Sequence, residues 1–258
     1  MTQAQPQDAI SVHEIHNLVQ ALPKMDPVVL PDVAGYGRAG EWLLWLARAQ
    51  GVKPQVDRVR LAVFAGSHGC HTGSIEETRK LIAPLAGADD AVVRVLQQVD
   101  ADLRLYELDL DHPTEDFTKG PAIDLDAAAH AMAYGMMAVE PGLHLLALAG
   151  IGAGGEAAHK ALLAELPKSE DALATLAAHG GMETCAMLGA ILAARLAKVP
   201  VLLDGLAAEA AAAVLARMSA DATLHCASAQ ALEPDLVDKA GLAGALGLVR
   251  LRALAQLA

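Results

Sequence analysis

Residues 143–156 read LHLLALAGIGAGGE, a short apolar run that leads into a glycine-rich turn and an acidic residue. Four more apolar runs lie at residues 59–65, 103–110, 200–203 and 223–226. They are too short for globular helices and are bounded by Gly, Asp or Ser, as buried parallel strands are. Because the stretches between them have helical spacing, we predict an α/β fold with a doubly wound, mostly parallel, Rossmann-like sheet.

Several stretches between the predicted strands carry helix signals. Ser74 and Glu77 have the spacing of a capping box, and Asp124 is expected to cap the helix that begins after it. Residues 172–198 are apolar on most faces, which predicts one buried helix. Residues 206–218 predict another.

The two ends of the chain look helical. Gly35-Tyr36-Gly37 is expected to be a turn between two N-terminal helices. The predicted organisation is a helical segment at 1–55, an α/β core at 56–232 and a second helical segment at 233–258. Because chain termini often lie close together, we expect the ends to form a small helical subdomain.

The composition limits the class of function. The chain is 54% hydrophobic but only 3% aromatic, with a formal net charge of −12. Acidic charge argues against nucleic-acid binding, because phosphates require a basic surface, and so few aromatic residues disfavour stacking on single strands. The longest uncharged stretch, residues 141–155, is shorter than the roughly 20 residues of a membrane-spanning helix.

Compartment signals favour the cytoplasm. The opening MTQAQPQDAISVHEIH has neither the basic region nor the apolar core of a secretion signal. Cys70, Cys185 and Cys226 are odd in number and far apart, which is typical of reduced thiols. We therefore expect a cytoplasmic globular protein that binds neither nucleic acid nor membrane.

The glycine-rich loop after the predicted third strand is a candidate phosphate site. Gly150 and Gly152 would let backbone N–H groups approach a phosphate at a helix N-terminus. The spacing misses G-x-G-x-x-G by one position, and Glu156 would repel an anion. A tight turn without a ligand is the alternative.

Polar residues at other strand ends are further candidates for substrate binding. Ser67 and His68 follow the first predicted strand, Asp204 ends the fourth and Ser228 follows the fifth. Asp204 suits either a ribose hydroxyl or a structural N–H. Glu183 lies in an apolar helix, where a charge costs free energy unless it is paired or hydrogen-bonded. Its role is therefore either functional or structural pairing.

Metal and hydrolase chemistry are disfavoured. His68, Cys70 and His71 offer three metal donors, but no matching Cys/His spacing occurs elsewhere. Neither Ser67 nor Ser228 lies in a G-x-S-x-G elbow. We predict no metal site and no cofactor.

Four collinear segments carry a family resemblance. They are HGGMETCAMLGAILAARLAKVPVLLDGLAAEAAAAVL at 179–215, GYGRAGEWLLWLARAQG at 35–51, VFAGSHG at 63–69 and DFTKGPAI at 116–123. Together they resemble nicotinate-nucleotide:dimethylbenzimidazole phosphoribosyltransferases, and the chain is identified as a shortened, divergent member. An unrelated α/β binding protein with the same element pattern is a remote alternative.

The resemblance implies a reaction and an assembly. Dimethylbenzimidazole displaces nicotinate from nicotinate mononucleotide, which gives α-ribazole phosphate for the lower ligand of cobalamin. The attacking ring nitrogen loses its proton, so a carboxylate base in an apolar pocket is expected. The resemblance also implies a homodimer.

The sequence departs from the family's pattern at the positions that the resemblance assigns to catalysis and nucleotide binding. Leu148 and Leu242 stand where the family places acids, and a leucine accepts no proton. Ser67 replaces the Asp of A-D-H-G, and a nucleotide-binding segment is expected to be missing between residues 155 and 179. The family's phosphate loop is matched only at Ser228.

Two hypotheses follow from these departures. In the first, the chain is a phosphoribosyltransferase in which Glu183 is the catalytic base, with Glu156 as a substitute candidate. In the second, it is a non-catalytic base- or nucleotide-binding or regulatory homologue in the cobamide pathway.

Overall fold

The computed structural model describes residues 10–25, 28, 36–232 and 239–256. The strands form one five-stranded sheet in the order β2-β1-β3-β4-β5, and every neighbouring pair is parallel. They are β1 (Val59–Ala65), β2 (Asp102–Glu107), β3 (Leu145–Ile151), β4 (Val201–Asp204) and β5 (Cys226–Ser228). The predicted doubly wound sheet is confirmed.

Ten α-helices cover the two faces of this sheet in the described part of the chain. They are α1 (Val12–Gln20), α2 (Arg38–Gln50), α3 (Ser74–Ile82), α4 (Ala91–Gln97), α5 (Leu125–Met136), α6 (Gly155–Glu165), α7 (Ala172–His179), α8 (Met182–Leu196), α9 (Leu206–Met218) and α10 (Leu242–Ala255). None of the described helices is long and apolar enough to cross a membrane.

Two cores lie on opposite faces of β3 because its side chains alternate. Leu146 and Leu148 join α1 and α5–α9 on one face. Leu145, Ala147 and Ala149 join α2, α4 and α10 on the other. With both faces covered, β1 and β3 are almost wholly buried, as their apolar sequences predict.

Small residues explain how so few aromatic side chains fill the interior. Helices α5 and α8 cross closely, with Gly189 against Met132 and Gly135 against Ala186. A Cβ atom at either glycine would overlap a backbone carbonyl oxygen of the opposite helix. This close packing fixes α8, whose first turn carries Glu183.

The register aligns the carboxyl ends of the three central strands. Ala65 of β1 pairs with Ile151 of β3, and Ala149 of β3 pairs with Asp204 of β4. The strand order changes direction between β1 and β3, and ligands of doubly wound sheets bind at such a switch point.

Some element predictions are confirmed and others are wrong. Asp124 caps α5 by accepting from the Ala127 N–H over 2.7 Å, and the helix at 206–218 is found as predicted. The strand predicted at 223–226 is wrong in position, because residues 220–223 form a 3₁₀ turn and pairing begins at Cys226.

Two helix-boundary predictions are also wrong. The single helix at 172–198 is two helices, since Gly180 and Gly181 adopt extended backbone between α7 and α8. Ser74 is no N-cap: Gly73 precedes the helix in a left-handed conformation, φ +79°. The side chain of Glu77 instead lies 2.8 Å from Nε2 of His71.

The terminal helices pack on different parts of the sheet. Helix α2 contacts α10, whereas α1 contacts α5 and α9. Gly35 lies outside the described residues, and Gly37 has φ +54° immediately before α2. The boundaries 1–55, 56–232 and 233–258 and the terminal subdomain stay predictions, and residues 233–238 lie outside the described part.

Candidate active site

A cavity of about 690 Å³ opens at the carboxyl edge of β3 and β4. Gly150, Gly152 and Gly155 form part of its wall, together with Asp204 and His159. The rest of the cavity wall includes the starts of α6 and α9, part of α3 and residues just before α10. The cavity therefore lies where the sheet topology places a ligand.

Glu183 is held behind this wall by two histidines. Its Oε1 accepts hydrogen bonds from Nε2 of His159 at 2.9 Å and from Nε2 of His68 at 3.1 Å. The hydroxyl of Thr184 donates to the same oxygen over 3.2 Å. Glu183 is only 1% exposed, and the pairing that a buried charge requires is supplied by these neighbours.

Glycines make room for the buried carboxylate. Glu183 stands in the first turn of α8, directly after the break at Gly180 and Gly181. A Cβ at Gly66 or at Gly181 would overlap its Oε2 atom. This Oε2 is buried and has no hydrogen-bond partner among the described residues.

The hydrogen bonds keep the carboxylate ionised. Burial on its own would raise the pKa of Glu183, but the charges and hydrogen bonds of His68 and His159 outweigh it and hold the pKa well below its usual value. Burial on its own would lower the pKa of His68, yet the charge and hydrogen bond of Glu183 raise it.

His159 is the member of this cluster that reaches the cavity wall. Sequence reasoning missed it, because no motif surrounds it and its partners are distant in the chain. One signal could have found it: His159 follows Gly155 by four residues, so both lie on the same face of α6. The glycine that opens the helix and the histidine therefore face the same site.

Among the described residues, the side chains of His68, His159 and Glu183 form a group that is compact enough to be considered for a metal ion. Their donor atoms lie within 4.8 Å of one another. Both Nε2 atoms are directed at the same Glu183 oxygen, and these hydrogen bonds give the buried carboxylate its partners. Cys70 and His71 do not join them, since Cys70 Sγ lies near the Gly154 carbonyl and His71 pairs with Glu77.

Asp204 faces the cavity and also has a structural contact. Its Oδ2 accepts a hydrogen bond of 2.7 Å from the N–H of Gly244, in the first turn of α10. The structural alternative considered for Asp204 is thus present, and the residue lines the cavity as well.

The two candidate serines lie away from the cavity lining. Ser67 is buried and donates to the carbonyl of Leu110 over 2.9 Å. Ser228, on the edge strand β5, donates to Oε1 of Glu209 over 3.1 Å. The structure therefore brings together Gly150, Gly152 and Asp204, with His68 and Glu183 behind them.

Positive and negative groups share the cavity rim. Lys80 lines it, and Nζ of Lys239 lies 2.7 Å from Oδ2 of Asp90. Burial would raise the pKa of Asp90, but the hydrogen bonds from Lys239 and from the Val92 N–H lower it. The N-termini of α6 and α9 also meet here, and helix N-termini favour anions.

Leu148 and Leu242, the two positions at which the resemblance leads one to expect acids, do not line the cavity. Leu148 is wholly buried within β3, on the face that packs against α8. Leu242 is partly buried against the core on the opposite face. The cavity nevertheless contains carboxylates, at Asp90, Glu156 and Asp204.

Known proteins match this chain in sequence. A family model described as "Phosphoribosyltransferase" matches residues 20–169 and 156–240. Nicotinate-nucleotide--dimethylbenzimidazole phosphoribosyltransferase of Brucella abortus (strain S19) is 34% identical over 241 residues, covering 77% of this chain and 71% of the relative. The protein of the same name from Brucella anthropi is 32% identical over 248 residues, covering 80% and 73%.

Solved structures share the fold. The nicotinate-nucleotide-dimethylbenzimidazole phosphoribosyltransferase of Thermus thermophilus superposes with a TM-score of 0.75 at 20% identity, covering 96% of both chains. CobT of the same organism gives 0.73 at 22% identity, covering 95% of this chain and 96% of that one. The sequence matches establish that this chain belongs to the nicotinate-nucleotide--dimethylbenzimidazole phosphoribosyltransferase family.

Proposed function

We propose that this chain transfers the phosphoribosyl group of nicotinate mononucleotide to dimethylbenzimidazole, in the cavity at the ends of β3 and β4. One observation carries the proposal: an ionised, buried Glu183 is hydrogen-bonded to His159 on the cavity wall. The transfer requires a proton acceptor, and the family membership supplies the reaction class.

The cavity suits a mononucleotide and a small aromatic base. Its volume of about 690 Å³ lies within the range typical of small-molecule sites. We place the phosphate near Gly150, Gly152 and the N-terminus of α6, with Lys80 as a cationic neighbour. Asp204 is the proposed acceptor for a ribose hydroxyl.

The other predicted site residues take different parts in this proposal. His68 supports Glu183 from behind the wall, and Ser67 ties its own loop to Leu110. A substrate contact by Ser228 stays a prediction. Glu156 lines the cavity and pairs with Lys160, which lowers the pKa of its exposed carboxyl, and it stays the substitute candidate base.

A paired substitution tests the location of the reaction. Leu206 lines the cavity, so Leu206→Trp is expected to fill it and to lower α-ribazole phosphate formation at least about tenfold, equivalent to 1.4 kcal/mol. Leu224→Trp is the control, since Leu224 is 52% exposed and lies outside the lining. Equal losses in both variants, or none in either, contradict the proposed site.

The second candidate function is binding without turnover. It is favoured by Leu148 and Leu242, which stand at positions where the family carries acids. Calorimetric titration with nicotinate mononucleotide and with dimethylbenzimidazole separates the cases. Binding of the base alone, with no product at high enzyme concentration, supports a sensor or carrier and overturns the enzyme.

We also propose a cytoplasmic homodimer. Supporting features are the free thiols of Cys70, Cys185 and Cys226 and the exposure of Tyr134 and Met137, which are 38% and 65% exposed. Light scattering coupled to gel filtration tests the assembly, and a monomeric mass at micromolar concentration contradicts it. Fractionation of cells that express the chain tests the compartment.

A further inference from the structure

We infer that His159 is the catalytic proton acceptor of this chain and that Glu183 is a positioning residue that acts through it. This assignment rests on the proposed phosphoribosyl transfer and deepens it. It replaces direct proton transfer to Glu183 by transfer to an imidazole on the cavity wall.

His159 and Glu183 differ in whether they border the cavity. Glu183 is 1% exposed and does not border the cavity, whereas His159 does. A carboxylate behind the wall reaches a substrate proton only through another group. His159 is that group, because its imidazole joins Glu183 to the space in which the base would bind.

The hydrogen bonds of His159 determine which of its ring nitrogens carries the proton. Its Nε2 lies 2.9 Å from Oε1 of Glu183 and 2.9 Å from the hydroxyl of Thr184. An ionised carboxylate only accepts hydrogen bonds, so Nε2 carries the proton in this contact. Nδ1 is then the basic nitrogen that remains for the substrate.

Glycines keep the approach to this imidazole open. Gly155 lines the cavity, and a Cβ there would come within 3.1 Å of Cε1 of His159 and 3.2 Å of Nε2 of His68. A Cβ at Gly152 would come within 3.1 Å of the same His68 nitrogen. The glycine-rich loop therefore leaves the space above the histidines open in addition to forming a turn.

Several charged or titratable groups surround His159. Glu183 faces it from α8 and His68 from the loop after β1. Glu156 and Lys160 share α6 with it and pair with each other, and Asp204 lies on the cavity wall at the end of β4. Of these groups Glu183 contacts the imidazole directly, through its Oε1 and Nε2 of His159, which is the arrangement of other histidine-carboxylate pairs.

The proposed step balances in atoms and charge. The unprotonated ring nitrogen of dimethylbenzimidazole forms a bond to C1′ of nicotinate mononucleotide, and the C1′–N bond to nicotinate breaks. The electron pair of that bond goes to the pyridinium nitrogen, which becomes neutral. The N–H proton of the new benzimidazolium passes to Nδ1 of His159 and later leaves to solvent.

A His159→Gln substitution provides the sharpest test. Glutamine retains an N–H donor for Glu183 but has no basic nitrogen, so it limits the disturbance to the buried carboxylate. The exposed His130→Gln in α5 is the matched control. Single-turnover rates of α-ribazole phosphate formation and the calorimetric Kd for nicotinate mononucleotide are measured for both variants and for the wild type.

We expect His159→Gln to lower the single-turnover rate by about 10²–10⁴-fold, the usual effect of losing a general base, with Kd within about threefold of wild type. Glu183→Gln is expected to lower the rate less, also at unchanged Kd, because its amide still accepts from Nε2 but lacks the charge. A rate within threefold of wild type in His159→Gln overturns the assignment. A rate and an affinity that fall together overturn it as well, because they indicate a structural role.

Failure of this inference is distinguishable from failure of the proposed function. If wild type forms no product, the proposed transfer is wrong. If wild type forms product and His159→Gln forms it equally fast, the transfer stands and His159 is not its proton acceptor.

Discussion

Oε1 of Glu183 accepts a hydrogen bond from Nε2 of His159 over 2.9 Å, and of these two side chains it is the imidazole that borders the cavity. A buried carboxylate that orients an imidazole fixes its tautomer and stabilises its protonated form. This pair therefore places an oriented imidazole on the wall of the cavity.

The space around Glu183 is expected to tolerate no added methyl group. Gly66→Ala places a Cβ onto Oε2 of Glu183, so the carboxylate must shift away from its histidines. Overpacking of this kind costs about 1–3 kcal/mol, and turnover is expected to fall with it. Urea unfolding and product assays measure both effects.

Gly120→Ala is the matched control for this substitution, since a Cβ at Gly120 would meet no atom within 4 Å. A Gly66→Ala variant as stable and as active as Gly120→Ala would show that Glu183 has room to move.

Lys80 is expected to contribute to nucleotide affinity through the phosphate. Lys80→Ala removes a cation from the cavity rim, and hydrogen bonds to charged groups contribute about 1.5–3 kcal/mol. We therefore expect KM for nicotinate mononucleotide to rise about tenfold or more, with little change for the phosphate-free nicotinate riboside. Lys53→Ala, at an exposed position outside the lining, is the control. Equal effects on nucleotide and nucleoside would argue against a phosphate contact.

Glutamate substitutions at Leu148 and at Leu242 are expected to lower the melting temperature by different amounts. Leu148→Glu buries an unpaired carboxylate in the central strand, which costs about 3 kcal/mol or more. Leu242→Glu places a carboxylate at the partly exposed N-terminus of α10, where the helix dipole favours negative charge. Thermal melts of the two variants are therefore expected to differ by many degrees, and equal melting temperatures would contradict the packing described for Leu148.

His225 is expected to make the fold sensitive to acid. Burial lowers the pKa of this histidine to about 3, from 6.5 for an unperturbed imidazole, and its Nε2 lies 3.0 Å from the carbonyl of Ile191. Below about pH 6.5, His225 binds a proton in the unfolded chain but not in the folded chain. The free energy of unfolding therefore falls as the pH falls toward the pKa of His225 in the folded state. The slope for one proton is about 1.4 kcal/mol per pH unit.

His225→Gln removes this titration and retains a donor for Ile191. Between about pH 6 and pH 5, the free energy of unfolding is expected to fall less steeply in this variant than in wild type, by up to that slope. His130→Gln is the exposed control. Parallel curves for wild type and His225→Gln would mean that His225 is protonated without cost in the fold.

The sheet could be predicted from local pattern, because strands buried on both faces are continuous apolar runs with polar boundaries. The glycine-rich turn after β3 and the cap at Asp124 are likewise local signals. The errors arise where local pattern does not determine the structure. The apolar stretch at 172–198 does not reveal that Gly180 and Gly181 interrupt it. Likewise, the predicted start of the last strand, Thr223, belongs to a 3₁₀ turn at residues 220–223.

The site was predictable only in part for a physical reason. Glu183 is identifiable from the sequence because an unpaired charge does not persist in an apolar helix. Its partners His68 and His159, however, are 115 and 24 residues away in the chain. That contact depends on the parallel register of β1 and β3 and on the start of α6. Sequence spacing places His159 on the same face of α6 as Gly155, but it does not show that His159 meets Glu183.

The most direct test of phosphoribosyl transfer is the stoichiometry of products from the wild-type chain. Nicotinate mononucleotide and dimethylbenzimidazole are incubated with enzyme at high concentration, and α-ribazole phosphate and nicotinate are quantified by mass spectrometry. We expect both products in equal amounts, and only when both substrates are present. Nicotinate released without α-ribazole phosphate, or neither product at all, would contradict the proposed transfer.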